Sequence, residues 1–413
     1  MQKAAVIRAS HYFGSIIHLI LISILCSCAS YTTRSSFAEK NWGSKKPAPN
    51  LILKLTMYLV GDAGTDSLDS KTLVSTDTAQ VLKYLKTKLG TEKESSSILF
   101  LGDNIYPGGL PTPEDSVKRE TAEFRLNSQL ETLSKFKGRP IFVPGNHDWK
   151  MGSAGLNRQQ EYVQNYLIRN AEISNNKDTF LPLNGCPGPK AVELNDNVVV
   201  IIVDSNWWLV NWKKEPKKNN ACTIKDLDQF KSALTSLTQK YSEKNVVIAM
   251  HHPMYTYGPH GGHFNLKEHV FPVTELVPWA YLPLPGLGWF IRSVIGIPQD
   301  IANKKYKTMR RAVLAATENS QDLLFASGHE HTLQYIENRG NKYIVSGSAS
   351  KNSPVGMGKG SIFSSSSMGF STVSFYDGGE TWVTYWEVSK GGKSATVIFQ
   401  KKVKEKRSIQ TKD

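Results

Sequence analysis

The chain has 413 residues, of which 40% are hydrophobic and 21% charged, and its formal net charge is +14. The sequence contains no internal repeat and no recognisable nucleic-acid-binding module, which excludes a repeat array and a nucleic acid as structural partner. The basic balance fits phosphate-bearing substrates or an anionic membrane surface instead.

Residues 1–27 have the pattern of an export signal. Lys3 and Arg8 precede an apolar run at 16–25, which is about half the roughly 20 residues needed to span a bilayer. The sequence Leu-Cys-Ser-Cys that ends at Cys28 resembles a bacterial lipoprotein cleavage box, in which this cysteine becomes the acylated N-terminus. We expect an exported, lipid-anchored protein that faces the periplasm or the cell surface. A soluble secreted protein and an uncleaved anchor are the alternatives.

Two further segments flank the predicted catalytic domain, which spans residues 51–400. Residues 28–50 are rich in Ser, Thr, Lys and Pro and lack a hydrophobic period, so they are predicted to form a flexible linker. Residues 401–413 begin with Lys-Lys-Val-Lys and are predicted to form a basic, disordered tail.

Cys186 and Cys222 are the two cysteines of the predicted catalytic domain. Both lie in loop-like sequence, and in an oxidising compartment an even pair favours a disulfide over two free thiols. Neither spacing fits a zinc site. We therefore predict a bridge between them.

Five apolar segments of the domain end at turns that carry Asp, Asn, Tyr or His. A short apolar run bounded by Gly or Pro is typical of a buried strand, and ligands gather beyond the carboxyl ends of such strands. Each polar residue alone also has an ordinary structural role, as a turn former or a core histidine. Five such ends in one chain favour a di-metal hydrolase, because two cations need several carboxylate and imidazole ligands in fixed geometry. The segments end at Asp62, at Asp103 and Tyr106, at Asn146 and His147, at His251, and at His329 and His331.

The motifs at these ends resemble those of a known family. They are Gly-Asp-Ala-Gly (61–64), Gly-Asp-Asn-Ile-Tyr (102–106), Gly-Asn-His-Asp (145–148), Ala-Met-His-His-Pro (249–253) and Gly-His-Glu-His (328–331). Together they resemble the calcineurin-like metallophosphoesterases, and within them the purple acid phosphatases, especially the small tartrate-resistant type. The resemblance implies a metallo-dependent phosphatase fold, a four-layer αββα sandwich of two mixed β-sheets flanked by helices.

The resemblance also implies a ligand set for two metal ions. Site one would be held by Asp62, Asp103, Tyr106 and His331, and site two by Asp103, Asn146, His251 and His329, with Asp103 bridging. Most calcineurin-like enzymes have a His two residues after the first Asp, whereas this chain has Gly64, and Tyr106 supplies the missing ligand. A phenolate favours Fe(III) at site one. Fe(II), Zn and Mn are all compatible with site two.

The implied activity is hydrolysis of a small phosphate ester, most directly as an acid phosphomonoesterase that uses a metal-bound hydroxide. His147 and His260 are the expected catalytic residues, because both match outer-sphere histidines of the family that assist the leaving group. A phosphodiesterase or nucleotidase of the same superfamily is the main alternative. A non-catalytic, surface-anchored binding protein is a further one, and the sequence gives no indication of oligomeric state.

Residues 264–317 form a long insertion before the last ligand strand. Its centre is aromatic and apolar but too rich in Pro for a membrane-spanning helix. Three roles are open for it: ordinary packing, a lid that shapes substrate choice, or a patch that rests on the membrane beside the lipid anchor.

Overall fold

The structure, a computed structural model, describes residues 28–65, 79–170, 178–212, 222–275, 277 and 279–405. The predicted signal segment, 1–27, and the end of the predicted tail, 406–413, lie outside the described residues. In chain order the strands are β1 (Arg34–Ser35), β2 (Leu53–Val60), β3 (Ser96–Phe100), β4 (Arg139–Phe142), β5 (Lys190–Asn195), β6 (Val198–Ile202), β7 (Asn245–Ala249), β8 (Leu324–Ser327), β9 (Leu333–Asn338), β10 (Asn341–Ser346), β11 (Ser361–Ser365), β12 (Gly369–Tyr376), β13 (Thr381–Val388) and β14 (Ala395–Lys404). The helices are α1 (Gln80–Leu89), α2 (Ser116–Leu130), α3 (Gly152–Asn170), α4 (Leu227–Lys240), α5 (Leu266–Val270), α6 (Leu287–Phe290) and α7 (Lys304–Ala316).

These strands form two mixed sheets. One has eight strands in the order β1-β11-β9-β10-β8-β7-β6-β5, and the other has six in the order β14-β13-β12-β2-β3-β4. In the six-stranded sheet β2, β3 and β4 are parallel, and in the eight-stranded sheet β6, β7, β8 and β10 are parallel. Because the carboxyl ends of parallel strands lie at one edge, each sheet presents its loops at a common edge.

Three apolar cores divide the molecule into four layers. Alternate residues of the strands, such as Leu99 and Ile202, fill the core between the two sheets. The opposite faces of the same strands pack against helices, with Phe100 under α1, α2 and α3 and Ile201 under α4 and α7. A strand buried on both faces has to be apolar throughout, which is why β3 and β6 read as continuous apolar runs. The predicted αββα sandwich of two mixed sheets is confirmed.

The two sheets meet at the edge where the predicted ligands lie. Gly61, directly after β2, donates its backbone N–H to Ser346 O at 2.8 Å. His329, just after β8, donates its backbone N–H to Asp62 Oδ2 at 2.8 Å. The loops of both sheets therefore form one continuous surface.

Residues 28–45 are attached to the body by strand pairing and hydrogen bonds, whereas the sequence predicts a flexible linker over 28–50. Strand β1 pairs with the edge strand β11, and Ser36 N donates to Ile362 O at 2.8 Å. Glu39 is buried and forms an ion pair with Lys401. An edge strand offers unpaired backbone groups to any extended segment, and this pairing needs no hydrophobic period.

The predicted disordered tail is wrong for its first four residues. Strand β14 continues through Lys401 to Lys404 and pairs with β13. Val403 is only 5% exposed and belongs to the core between the sheets. Burial of this valine holds the lysines on either side of it in the strand.

The predicted disulfide is confirmed, with the Cα atoms of Cys186 and Cys222 5.4 Å apart. Cys28 is a free, exposed cysteine. Within the described part of the chain, no helix is long and apolar enough to cross a membrane.

The insertion at 264–317 has two structurally different parts. Helix α7 is an ordinary packing element, since Tyr306, Met309 and Val313 are buried under the eight-stranded sheet. The part that contains α5 and α6 exposes most of its large apolar side chains.

Candidate metal centre

The predicted ligands follow the ends of five strands, at the edge where the sheets meet. Asp62 follows β2, Asp103 and Tyr106 follow β3, Asn146 follows β4, His251 follows β7, and His329 and His331 follow β8. Three of them have a left-handed backbone conformation, with φ of 60° at Asp62, 55° at Asp103 and 69° at His329. This conformation is uncommon for residues other than Gly and is concentrated at functional sites.

The first cluster consists of Asp62, Tyr106 and His331. The Tyr106 hydroxyl donates to Asp62 Oδ1 at 2.9 Å and lies 3.1 Å from His331 Nε2. His331 Nε2 is 3.6 Å from Asp62 Oδ1. Two oxygen atoms and one nitrogen atom that can bind a metal, from Asp62, Tyr106 and His331, therefore lie close together.

The second cluster consists of Asn146, His251 and His329. Asn146 Oδ1 lies 3.1 Å from both His251 Nε2 and His329 Nδ1, and these two nitrogens are 3.3 Å apart. The other nitrogen of each ring contacts a backbone carbonyl, Leu101 O at 2.8 Å and Gln299 O at 3.0 Å respectively. A ring N–H that donates to a carbonyl turns the other ring nitrogen towards the site, and this nitrogen binds a metal once it carries no proton.

Asp103 joins the two clusters. Its Oδ1 lies 3.4 Å from His251 Nε2 and accepts the backbone N–H of His147 at 2.8 Å. Ligand atoms of Asp62, Asp103 and His251 all lie within 4.8 Å of one another. All seven predicted ligands are thus brought together, with the carboxylate of Asp103 between the groups.

The spacing within the clusters fits metal ions. Atoms bound at about 2.1 Å to one ion are about 3.0 Å apart in octahedral and about 3.4 Å apart in tetrahedral geometry. The second cluster has 3.1, 3.1 and 3.3 Å, and the first has 2.9, 3.1 and 3.6 Å. The donor set, which is carboxylate, phenol, amide and imidazole, is also chemically suited to iron, zinc or manganese.

Gly64 lies where a side chain has no room. A Cβ atom there would come within 2.3 Å of the backbone carbon and oxygen of Asn104. The carbonyl of Gly64 accepts the backbone N–H of Tyr106 at 3.0 Å, which closes this loop. Tyr106, and not a side chain at position 64, therefore reaches the first cluster from this pair of loops.

Burial acts strongly on the two carboxyl groups. It raises the pKa of Asp62 to about 8, and the neighbouring charge of Asp103 adds to this shift. Burial also opposes the charge on Asp103, but attraction to His251 and the hydrogen bond with it outweigh burial and place the pKa of Asp103 well below its ordinary value. A cation between these groups would stabilise both as carboxylates.

The histidines respond to the same environment. Burial lowers the pKa of His331 to about 3 and that of His329 well below its ordinary value. Burial opposes the charge on His251 too, but the charge of Asp103 raises its pKa to about 9. The rings of His329 and His331 are therefore neutral at physiological pH, and metal binding would release the proton of His251.

Residues 70–282, more than half of the chain, match the family model described as calcineurin-like phosphoesterase. The chain belongs to the calcineurin-like phosphoesterase family. The matched residues include Asp103, Tyr106, Asn146 and His251, and the other three predicted ligands lie outside the match. No curated protein sequence matches the chain significantly.

Three solved structures are similar to this calcineurin-like phosphoesterase. GAP50, the anchor in the inner membrane complex of Plasmodium, has a TM-score of 0.50 at 16% identity, over 86% of this chain and 90% of that chain. Purple acid phosphatase PPD1 from yellow lupin (Lupinus luteus) seeds has a TM-score of 0.45 at 12% identity, over 84% of this chain and 53% of that chain. A 5'-nucleotidase precursor from Thermus thermophilus has a TM-score of 0.32 at 11% identity, over 84% and 53% respectively. The first of these likenesses shows a shared fold.

Asp148 holds two ligand loops of this calcineurin-like phosphoesterase together. It is fully buried, and its carboxylate accepts the backbone N–H of Gly145 at 2.7 Å and those of Asn104 and Ile105 at 3.1 Å. Gln159 Nε2 also donates to it at 3.1 Å. Burial raises the pKa of Asp148 to about 6. The residue ends the Gly-Asn-His-Asp motif, but sequence reasoning assigned it no role.

The first predicted catalytic histidine, His147, lies at the edge of the clusters. Its Nδ1 donates to Pro107 O at 2.7 Å, which leaves Nε2 free on the side of Asp103, 3.9 Å from Oδ2. Its ring packs on Tyr106, with 4.2 Å between ring centroids. Burial lowers the pKa of His147.

The second, His260, stacks on a predicted ligand, with its ring centroid 4.2 Å from that of His329. Its Nδ1 donates to Asp300 Oδ1 at 2.9 Å, and Arg292 Nη2 donates to the same oxygen at 2.8 Å. Asp300 and Arg292 belong to the insertion. Glu330 lies between His329 and His331 in the sequence. Its Oε1 accepts the backbone N–H of Gly261 at 3.1 Å and so fixes the loop that carries His260. Sequence reasoning assigned no role to these three residues.

Lys351 brings a positive charge to this site. Its Nζ lies 3.5 Å from the centroid of the Tyr106 ring. Burial lowers the pKa of Lys351, while attraction to Asp62 and Asp103 acts in the opposite direction. It lies in a Gly/Ser-rich loop after β10 that offers no sequence signal for such a role.

His252 supports the site rather than facing it. Its Nδ1 lies 2.8 Å from Ser205 Oγ and its Nε2 2.6 Å from Gln299 Oε1. The backbone carbonyl of Gln299 also contacts His329. Gln299, which belongs to the insertion, therefore holds both the predicted ligand His329 and the adjacent His252.

Proposed function

We propose that this calcineurin-like phosphoesterase is a binuclear phosphomonoesterase of the purple acid phosphatase type, active at acid pH. The observation that carries the proposal is the Tyr106 hydroxyl in the first cluster, 2.9 Å from Asp62 and 3.1 Å from His331. Gly64 has no room for the imidazole that other members carry there. A phenolate is a hard, strongly donating ligand that favours Fe(III).

The first metal would be held by Asp62, Asp103, Tyr106 and His331, and the second, which is Fe(II), Zn or Mn, by Asp103, Asn146, His251 and His329. When bound, the two cations would activate water and neutralise charge on the phosphoryl oxygens, and a trivalent ion would do so at lower pH than a divalent one. The buried carboxyl group of Asp62 sets the site up for this, because burial disfavours its charge until a cation arrives.

His260 is placed to serve the leaving group. Its bond to Asp300 keeps a proton on Nδ1 and orients the ring, so that Nε2 is the atom that exchanges a proton with the leaving oxygen. Arg292 fixes the carboxylate in turn. The insertion therefore supplies the two residues, Asp300 and Arg292, that orient His260.

His147 and Lys351 are placed to bind the phosphoryl group. His147 Nε2 is free on the side of Asp103, and the ammonium of Lys351 lies over the Tyr106 ring. A monoester carries up to two negative charges and a diester one, so an additional cation beside two metals favours the monoester. This favours phosphatase activity over phosphodiesterase activity.

Metal analysis and a visible spectrum of the purified full-length chain test the metal assignment. We expect iron and a tyrosinate-to-iron charge-transfer band, and the absence of both would overturn the purple type even if phosphatase activity survived. Parallel assays with a phosphomonoester, a diester and a nucleotide test the substrate class. Preference for the diester or the nucleotide would replace phosphatase with phosphodiesterase or nucleotidase, and inactivity on all three would leave a binding protein.

A further inference from the structure

One part of the insertion exposes an unusual amount of apolar surface. Of the seventeen large hydrophobic residues that are exposed in the described chain, ten lie between 266 and 297. We call the nine of these at 279–297 the apolar face: Trp279, Tyr281, Leu282, Leu287, Phe290, Ile291, Val294, Ile295 and Ile297. Clustered exposure of this kind marks an interaction site, whereas single exposed apolar residues do not.

The apolar face is built on ordered structure. Leu287, Phe290, Ile291, Val294 and Ile295 recur every three or four residues along a helical segment, the spacing of one helical side. The segment before it is tied to α5, because Leu284 N donates to Val270 O at 2.9 Å and Gly286 N to His269 O at 3.0 Å. The exposed side chains are thus held in place together.

An apolar cleft of about 220 Å³ opens within this part of the insertion. Phe264, Pro272, Val273, Leu284, Leu287 and Ile291 form most of its lining. In the described residues from 277 to 297 the one charged side chain is Arg292, which turns inward to Asp300. Nothing charged therefore interrupts the apolar face.

The start of the described chain lies beside this cleft. Cys28 forms a β-bridge with Phe264, and Ala29 N donates to Phe264 O at 2.8 Å. The apolar run at 16–25 ends three residues before Cys28, and three extended residues span at most about 10 Å. Acylation of Cys28 and retention of the apolar run would both place a membrane anchor next to the insertion.

The polar groups around the apolar face fit a membrane as well. Exposed Trp279 and Tyr281 are aromatic residues with polar atoms, the type found at membrane interfaces. Lys267 extends its Nζ to 5.1 Å from the Tyr281 ring centroid. A lysine at the rim of an apolar surface reaches anionic headgroups while its stem stays in the apolar layer.

We propose that the apolar face rests in the interface of the membrane to which the segment around Cys28 tethers the chain. The occupant is the acyl and headgroup layer of a phospholipid bilayer. The inner side of the same helical segment carries Arg292, which supports His260 through Asp300. Docking would therefore bring the residues that support His260 close to the lipid surface. The proposal does not depend on the metal content or on the reaction.

Tryptophan quenching in vesicles tests the proposal with the full chain. The chain is reconstituted into vesicles of phosphatidylethanolamine and phosphatidylglycerol, with or without phospholipids brominated near the head of the acyl chain. Wild type is compared with Trp279→Phe, an exposed change that leaves the fold intact. The chain has nine tryptophans. We expect the variant to lose the part of the quenching by brominated lipid that comes from Trp279.

A matched control places a tryptophan on another exposed site. Val117, at the start of α2 on the outer side of the six-stranded sheet, is 75% exposed, and Trp279 is 81% exposed. Val117→Trp in the Trp279→Phe background should be quenched by aqueous iodide and not by brominated lipid. If Trp279 is instead quenched by iodide, the apolar face lies in water and the proposal is overturned. If Trp279 is quenched by neither agent, a second copy or another protein segment covers the apolar face, which also overturns it.

Discussion

The Tyr106 hydroxyl donates a hydrogen bond to Asp62 Oδ1 at 2.9 Å. The two residues follow neighbouring parallel strands, and Gly64 between them has no room for a side chain. The tyrosine therefore reaches a position that lies among the ligands and is shielded from solvent, since it is only 5% exposed.

Tyr106→Phe should remove the visible band and lower the iron content by the share of the first site, because it deletes the phenolate and leaves the rest of the first cluster in place. The second cluster has no contact with this hydroxyl, so its metal should remain. Absorbance and metal analysis of the purified variant measure both effects. Tyr162→Phe, which removes a hydroxyl that donates to Asn127, is the control. A variant that keeps its colour would show that Tyr106 is not the ligand.

Asp148→Ala should unfold the two loops that carry Asp103 and Asn146. Removal of the carboxylate leaves several buried N–H groups without an acceptor, at a cost on the order of 3 kcal/mol or more. Asp148→Asn keeps one carbonyl oxygen and should lose less stability. Thermal unfolding and metal content of the two variants measure the difference. Equal stability of the wild type and the alanine variant would contradict the role assigned here.

Lys351→Gln should weaken substrate binding more than turnover. Loss of roughly 1.4 kcal/mol of attraction to the phosphoryl group would raise KM about tenfold, with kcat changed less. The effect should shrink as salt is added, because salt screens partly exposed charges. Lys359→Gln, in the same loop but exposed, serves as control. If both variants raise KM equally, Lys351 has no specific role in binding.

The ligands could be predicted from the sequence because each one follows a strand whose apolar pattern is local. The apolar run that stops at Gly102 marks the end of β3, and parallel pairing then brings Asp103 to the edge shared with Asp62. The supporting residues could not be predicted in this way. Asp300 reaches His260 from forty positions further along the chain, and Lys351 comes from a loop without any pattern.

The segments at the two ends of the domain show a second limit. Residues 28–50 and 401–404 are polar, and composition alone predicts that they are mobile. Their order comes from backbone pairing with β11 and β13 and from the ion pair of Glu39 with Lys401. Both contacts depend on where sheet edges lie in the folded protein, which a local pattern does not contain.

His260→Ala should lower the hydrolysis of an alkyl phosphate by about 10²–10⁴-fold, the usual contribution of a general acid. An aryl phosphate with a good leaving group needs little protonation, so its rate should fall far less. Asp300→Asn should show the same dependence on the leaving group to a smaller degree, since it acts by orienting the ring. Metal content should stay unchanged in both variants.

His263→Ala is the control for these two variants, because His263 packs against Tyr257 and not on the metal centre. Rates for a series of esters with different leaving groups measure the effect. An equal loss on alkyl and aryl esters would show that His260 acts on something other than the leaving group.

Asp204 should make the stability of the protein depend on pH. It is fully buried after β6, accepts the N–H of Trp149 at 2.8 Å, and has its pKa raised to about 7 by burial. An unfolded Asp has a pKa of about 3.9. Between these values the unfolded chain has lost the proton and the folded chain still holds it, so the free energy of unfolding falls as pH rises through this window. Above and below the window this carboxyl contributes no slope.

Asp204→Asn should remove this part of the pH dependence. A shifted pKa changes the free energy of unfolding by about 1.36 kcal/mol per pH unit, so the whole effect is on the order of a few kcal/mol. The asparagine keeps a carbonyl oxygen for the Trp149 indole N–H but loses the oxygen that accepts the backbone N–H of Trp207 at 3.1 Å. The variant is therefore expected to be less stable at every pH, and the slope with pH is the readout. Denaturant unfolding at a series of pH values from acid to neutral measures the slope. Asp196→Asn, which changes an exposed carboxyl in the turn between β5 and β6, should leave the slope as in the wild type. Parallel curves for Asp204→Asn and the wild type would show that Asp204 is ionised in the folded protein throughout this range.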